Sequence, residues 1–240
     1  MRVHFLGSGD AFGSGGRNQT AYLLEDRDHL YLLDCGPSAL PALKRAGLDP
    51  ADLDAVILSH LHGDHFGGLP FFFIHYLYNK PRSRPLEVAG PPGTEQRVRD
   101  LMRLMYGEKE LPFVVFRVLE PDTAATVAGA EVLGFRVPHQ TDAVSLGLRV
   151  AVAGRTVLFS GDSSWTDQFI THGRGADLFI CECCHYDEPS PSHMSYVEVA
   201  AHRERLECKR LILTHMGEEM LARRHTLPVE TAEDGLVVEL

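Results

Sequence analysis

Short apolar runs separated by polar, glycine-bearing connections dominate the chain, and most of the runs have strand length. Arg2 to Leu6 reads as the first strand. A glycine-rich loop, Gly7 to Arg17, leads into a strand over Gln19 to Glu25, and a turn at Asp26 to Asp28 precedes a strand over His29 to Leu33. Ser38 to Ala46 reads as a helix closed by Gly47, and Asp54 to Leu58 as a buried strand. Gly68 to Tyr78 is apolar all round, the pattern of a buried helix. Leu86 to Ala89 is a strand, Gly90 to Gly93 a turn, and Thr94 is expected to cap a helix running to Tyr106. Phe113 to Leu119 is a further strand.

The second half repeats the mixture. Thr126 to Val127 pairs with Glu131 to Val137, and Ser145 to Val152 with Thr156 to Ser160 around Ala153-Gly154. Leu178 to Glu182 and Arg210 to Thr214 are strands, Met194 to Arg205 and Glu218 to His225 helices, and Leu236 to Glu239 an edge strand. Two strand-rich halves with helices interleaved predict an α/β chain folded as an αββα sandwich, two mixed β-sheets flanked by helices. With 240 residues, 44% of them hydrophobic, one domain over 1–240 has enough apolar material for a good-sized core. No linker, low-complexity run or periodic repeat interrupts it.

Chemistry concentrates at one place. Ser59-His60-Leu61-His62-Gly63-Asp64-His65 sets three imidazoles and one carboxylate directly after a buried strand. Neutral imidazole suits zinc and similar cations, and carboxylate adds neutralising charge. Four such groups from so short a segment cannot all reach one ion and leave room for chemistry. They divide more easily, with His60 and His62 toward one ion and Asp64 and His65 toward a second. Three distant residues share one placement, just past the C-terminal end of an apolar strand: His139 after Phe-Arg-Val-Pro, Asp162 after Leu-Phe-Ser-Gly, and His215 after Leu-Ile-Leu-Thr. Strand tips of an α/β sandwich converge at one edge, where sites are usually built. Asp34, at the tip of the His29 to Leu33 strand, is placed to orient a metal-bound imidazole from behind. His75 reads as a core or interface histidine.

The run from His60 to His65 is the His-x-His-x-Asp-His signature of the metallo-β-lactamase superfamily, which the chain resembles. The resemblance implies two divalent metal ions, zinc first, with manganese or iron also fitting. His60, His62 and His139 would hold one ion, Asp64, His65 and His215 the other, and Asp162 would bridge them with a shared water or hydroxide. Within the superfamily, Phe5-Leu-Gly-Ser-Gly-Asp-Ala-Phe-Gly-Ser-Gly-Gly16, Leu32-Leu-Asp-Cys-Gly36, Ser160-Gly-Asp162 and Leu213-Thr-His215 resemble the ribonuclease Z-like group of metal-dependent hydrolases, over nearly the whole chain. That group has a His-Glu-Ala-Thr motif and a later His-Ser-Thr motif. Their counterparts are Glu182 in Cys181-Glu182-Cys183-Cys184 and His193 in His193-Met194-Ser195. By this resemblance His193 donates a proton to the leaving alkoxide or stabilises charge on the phosphorane, and Glu182 orients it. Asp64 counts with these two as catalytic as well as ligating. A diester leaving group needs a proton, and a histidine steadied by a carboxylate is suited to deliver it.

The expected activity is hydrolysis of a small or nucleotide-type phosphodiester by the bridging hydroxide. The same metal core serves carboxylic esters, lactones, thioesters, sulfate esters and β-lactams, and a non-catalytic metal-binding regulatory domain is the rival from another class. A redox di-iron site would call for a flavin partner domain that the chain is too short to contain. Ribonuclease Z carries an inserted arm that grips transfer RNA. No long Gly/Pro/Lys-rich insertion is found here, so transfer-RNA processing is disfavoured. The formal net charge of −10 points the same way, against broad nucleic-acid binding. The glycine-rich loop lacks the Gly-Lys-Ser/Thr of a P-loop and runs into a strand rather than a helix, so it reads as a flexible lip beside the site or an ordinary turn. Five cysteines, three of them in Cys-Glu-Cys-Cys, do not form a disulfide framework, nor have they the spacing of the second zinc site of some phosphonate-pathway relatives. No signal peptide and no bilayer-length apolar run is evident, so a cytoplasmic protein without a membrane partner is expected. Phe71-Phe72-Phe73 makes a homodimer plausible.

Overall fold

The structure, a computed structural model, describes residues 1–188 and 190–240. The first half supplies β1 (Arg2–Gly7), β2 (Ala21–Glu25), β3 (Leu30–Leu33), α1 (Ala39–Arg45), β4 (Ala55–Ile57), α2 (Gly63–Phe66), α3 (Leu69–Tyr78), β5 (Leu86–Gly90), α4 (Thr94–Tyr106) and β6 (Val114–Val118). The second supplies β7 (Ala124–Val127), β8 (Ala130–Arg136), β9 (Leu146–Val152), β10 (Arg155–Phe159), α5 (Gln168–Gly173), β11 (Leu178–Glu182), α6 (Tyr196–His202), β12 (Leu211–Thr214), α7 (Glu218–Arg223), β13 (Glu230–Thr231) and β14 (Val237–Glu239). The strands form two mixed sheets, in the spatial orders β14-β1-β2-β3-β4-β5-β6 and β13-β12-β11-β10-β9-β8-β7. Each sheet has three antiparallel pairings at one end and three parallel ones at the other. With β14 returned to the edge of the first sheet, the two sheets share one pairing scheme, and the fold is the αββα sandwich.

The side-chain period of two along a strand explains the layering. In β2, Tyr22 and Leu24 enter the core between the sheets, while Ala21 and Leu23 face the helices. In β11, Leu178 and Ile180 go to the intersheet core, while Phe179 and Cys181 pack outward with Phe169, Val199 and Met220. Strands covered on both faces read as continuous apolar runs. Phe159, 1% exposed, sits edge-on to Tyr22 with ring centroids 5.2 Å apart. Phe159→Ala removes this ring from the middle of the sandwich, and a loss of about 3–5 kcal/mol is expected in urea denaturation; a loss under about 1 kcal/mol would show that the intersheet core closes over the gap.

Several boundaries differ from the sequence reading. The turn α2 lies inside the metal motif itself. α5 and β13 have no counterpart in the sequence pattern, and β7 begins at Ala124 rather than Thr126. α6 starts at Tyr196 rather than Met194, because Ser195 and Glu198 form a capping box, the Ser195 hydroxyl accepting from the Glu198 amide while the Glu198 carboxylate accepts at the cap. Gly93, at φ 92°, caps α4, and Thr94 instead donates its hydroxyl to the Pro91 carbonyl.

The glycine loop is not a free lip. Asp234 accepts from the Ser8 amide and hydroxyl and from the Asn18 amide, and Glu218 accepts from the Gly15 amide. Asp10 closes the loop on itself by accepting from the amides of Phe12 and Ser14 and from the Ser14 hydroxyl. Among the described residues no helix is long and apolar enough to cross a membrane.

Candidate metal centre

The C-terminal ends of β3, β4, β10, β11 and β12 open onto one edge, and each delivers a polar side chain there. β4 ends at Ile57, and Ser59 and His60 follow. The turn α2 then coils the next residues so that Asp64 and His65 face across from His60 and His62. β10 turns at Gly161, whose φ of 59° suits glycine and whose missing Cβ would stand 2.6 Å from the Leu146 carbonyl, and Asp162 comes next. β12 ends in Thr214, with His215 held at φ 55°. Asp34, past β3, has the same left-handed backbone at φ 55°. Two non-glycine residues in this region at one site mark conformations that the surrounding structure enforces.

The seven side chains assort into two clusters that share a carboxylate. In the first, His62 Nδ1 lies 3.2 Å from His60 Nε2 and 3.0 Å from His139 Nε2. In the second, Asp64 Oδ2 lies 3.1 Å from His65 Nε2 and 3.4 Å from His215 Nε2. Asp162 Oδ2 faces both, 3.2 Å from His65 Nε2, 3.4 Å from His215 Nε2, 3.9 Å from His60 Nε2 and 4.0 Å from His139 Nε2. A single carboxylate oxygen therefore faces the four nitrogens, and Oδ1 is buried without a partner among the described residues.

These residues fit a pair of divalent ions. A tetrahedral ion with bonds of about 2.0–2.1 Å sets its ligand atoms about 3.3–3.4 Å apart, close to the spacings found. His65 Nε2 is buried and makes no hydrogen bond among the described residues, the condition of a ligand atom. Charge is arranged accordingly. Burial alone would raise the Asp64 and Asp162 carboxyls, but His65 and His215 hold both far below the usual range. His60 is pushed well down, by burial first and then by the charge of His65.

An outer set of bonds orients the rings. Asp34 Oδ2 accepts from His65 Nδ1 at 2.6 Å and from the Ser59 hydroxyl at 2.7 Å, and Oδ1 accepts from the Ser59 amide at 2.7 Å. Since the Ser59 proton points to Asp34, Ser59 Oγ is left to accept from His60 Nδ1 at 3.0 Å. One aspartate thus steers a histidine of each cluster, one directly and one through Ser59. The Ser192 carbonyl does the same for His139 Nδ1 at 2.8 Å. Ser59 stands beside the motif in sequence, but only the fold gives it this role. Ser59→Ala is expected to weaken metal binding about tenfold, the lower range for an outer partner of a metal-bound histidine; chelator competition measures it, and unchanged affinity would remove Ser59 from the chain of bonds.

Glu182 and His193 meet at the rim. Glu182 is fully buried, and its carboxylate accepts from the Ser163 amide at 2.9 Å, from the Cys184 amide at 3.1 Å and from His193 Nδ1 at 2.9 Å. Among the described residues, Nε2 of His193 has no hydrogen-bond partner. The ring is stacked on His215, centroids 5.6 Å apart and 12° from parallel, and meets His139 edge-on at 5.1 Å. Burial would lower the His193 pKa, but the Glu182 bond and charge, with Asp162 behind, raise it. His75 takes no part in the clusters; its Nδ1 contacts the Asn79 amide group at 3.2 Å.

Comparison with known proteins identifies the family. Ribonuclease Z of Methanothermobacter thermautotrophicus is 27% identical, the alignment taking in 100% of this chain and 97% of that protein. It runs over 298 positions against 240 residues here, so the relative carries segments this chain lacks. The crystal structure of the metallo-β-lactamase fold protein YhfI from Bacillus subtilis superposes with a TM-score of 0.82 at 25% identity, over 99% of both chains. Human short-form tRNase Z gives 0.82 at 27% identity, over 100% of this chain and 99% of that one. The family described as anti-Pycsar protein Apyc1 matches residues 1–237. This chain belongs to that family, and with it to the ribonuclease Z-like metallo-hydrolases of the metallo-β-lactamase fold.

Proposed function

We propose that this chain hydrolyses phosphodiesters of small or nucleotide type, using two divalent cations, zinc first. The observation that carries the reading is the His193–Glu182 pair beside the Asp162-bridged clusters. When bound, the cations supply a water ionised near neutral pH and neutralise charge gathering on the attacked phosphoryl group. His60, His62 and His139 would hold one, Asp64, His65 and His215 the other, and Asp162 both. Glu182 accepts the Nδ1–H of His193 and so fixes the protonated imidazole with its second N–H toward the centre. His193 gives that proton to the departing oxygen, which an alkoxide leaving group requires. Asp34 and Ser59 keep the rings from turning while charge shifts.

The substrate is small on this reading. The net charge of −10 opposes the docking of an RNA backbone, and the segments by which the ribonuclease Z relative exceeds this chain are absent. The family description adds an action against Pycsar, which we carry to this chain as part of the proposal. Exposed Phe71 and Tyr78 on α3 and Leu104 and Met105 on α4 support a homodimer through these helices. Five free cysteines support a reducing, cytoplasmic setting.

Turnover of bis(p-nitrophenyl) phosphate by zinc- or manganese-loaded protein, beside a carboxylic ester, a lactone, a thioester and a sulfate ester, tests the reading. Faster hydrolysis of the diester is expected. An inert diester with rapid turnover of one of the others would leave the metal centre standing and overturn the phosphodiesterase assignment.

A further inference from the structure

The imidazoles of the centre are not equally supported. Nδ1 of His60, His65 and His139 each meet an oxygen, from Ser59, Asp34 and the Ser192 carbonyl, at 3.0, 2.6 and 2.8 Å. Among the described residues Nδ1 of His215 meets none, although the residue is only 3% exposed. With Nε2 given to the ion that His215, Asp64 and Asp162 would hold, the proton of the neutral ring would sit on Nδ1, and a buried N–H without an acceptor is destabilising. Cys184 is the polar neighbour. Its sulfur, a ring nitrogen of His215 and one of His193 lie within 4.8 Å of one another. The position is fixed from two sides, since the Cys184 amide donates to Glu182 at 3.1 Å and its carbonyl accepts from the Gly217 amide at 3.0 Å. Bonds from the tip of β11 and from the segment just past His215 therefore hold the Cys184 backbone beside this ring. Unlike Cys35, Cys181 and Cys183, Cys184 is half-buried, at the wall of a cleft of about 390 Å3 bounded by Asp10, Phe12 and His185.

We propose that Cys184 is the positioning residue of His215, its sulfur receiving the Nδ1–H, and that modification of this accessible thiol disconnects the second metal half-site. The proposal rests on the two-ion reading above. Methyl methanethiosulfonate is the probe. The thiol loses its proton, a disulfide bond forms to the methylthio group, and methanesulfinate leaves with the bonding pair; dithiothreitol reverses the change. A methylthio group on the sulfur takes the space the His215 ring needs.

The test uses the full-length, zinc-loaded chain carrying Cys208→Ser, which removes the other partly exposed thiol. Bound zinc per chain is measured during chelator competition. Cys184→Ala is expected to weaken one of two equivalents about 10–100-fold, and Cys184→Ser, which keeps an acceptor, to restore most of it. Reagent treatment should release the same equivalent reversibly from the Cys184 protein and not from Cys184→Ser, so the labelling arm stands even if Cys184→Ala folds poorly. Cobalt substitution supplies a spectroscopic check. Wild-type affinity in Cys184→Ala, retention of both equivalents after labelling, or a sulfur-to-cobalt charge-transfer band that places the sulfur on the ion would each overturn the proposal. A parent chain that never binds two equivalents overturns the two-ion reading itself, and this proposal with it.

Discussion

Asp162→Ala is expected to lower bound metal from two equivalents to fewer than one and to reduce kcat/KM for a diester more than about 10^3-fold. The estimate exceeds the 10^2–10^3 that one lost electrostatic donor costs, because this side chain serves both clusters. Its Oδ2 lies within 4.0 Å of ring nitrogens from His60, His65, His139 and His215. Removing it leaves the first cluster three imidazoles and no carboxylate, and the second a single carboxylate. Asp162→Asn keeps the volume and one oxygen but loses the charge, and an intermediate metal affinity is expected. Metal analysis with steady-state kinetics decides the matter. If Asp162→Ala retained two ions, the shared-carboxylate arrangement would be wrong.

The second large effect is at His193. His193→Ala should lower kcat about 10^2–10^4-fold, the range for a general acid, while both ions stay bound, because His193 is not among the seven side chains that would hold them. The loss should be greatest on a diester with an alkoxide leaving group, since a nitrophenolate departs with little help. The pH profile adds a signed test. His193 acts in its protonated form, and Glu182 raises its pKa, so activity persists above the ordinary histidine range and falls as pH rises through the raised value. Glu182→Gln removes the carboxylate charge, lowers that pKa and moves the alkaline fall to lower pH. An alkaline limb that stays put in Glu182→Gln, with kcat intact in His193→Ala, would exclude the pair from proton transfer.

Much of this site can be read from the chain. His60, His62, Asp64 and His65 fall within six consecutive positions, so their proximity is a local property. His139, Asp162 and His215 are marked by their places after apolar strands. Glu182 and His193 are legible only through motif resemblance, as nothing in Cys-Glu-Cys-Cys announces an acid partner. The Ser192 carbonyl and the Ser163 amide are backbone groups and leave no trace in side-chain patterns. The tethering of the glycine loop was hidden for a similar reason. Its partners Asp234 and Glu218 lie more than 200 residues on, and glycines in sequence suggest freedom that those bonds remove.

The sequence by itself determined which ligands are available and where the strands run, because ligand chemistry and a period of two belong to residues and their immediate neighbours. The packing of two seven-stranded sheets decided how those ligands meet. It brought one oxygen of Asp162 within reach of both clusters, made Asp34 steer two histidines, and left Nδ1 of His215 without the oxygen partner that His60, His65 and His139 have. Those outcomes depend on register across strand pairs and on the separation of strand tips in space, which no stretch of sequence contains.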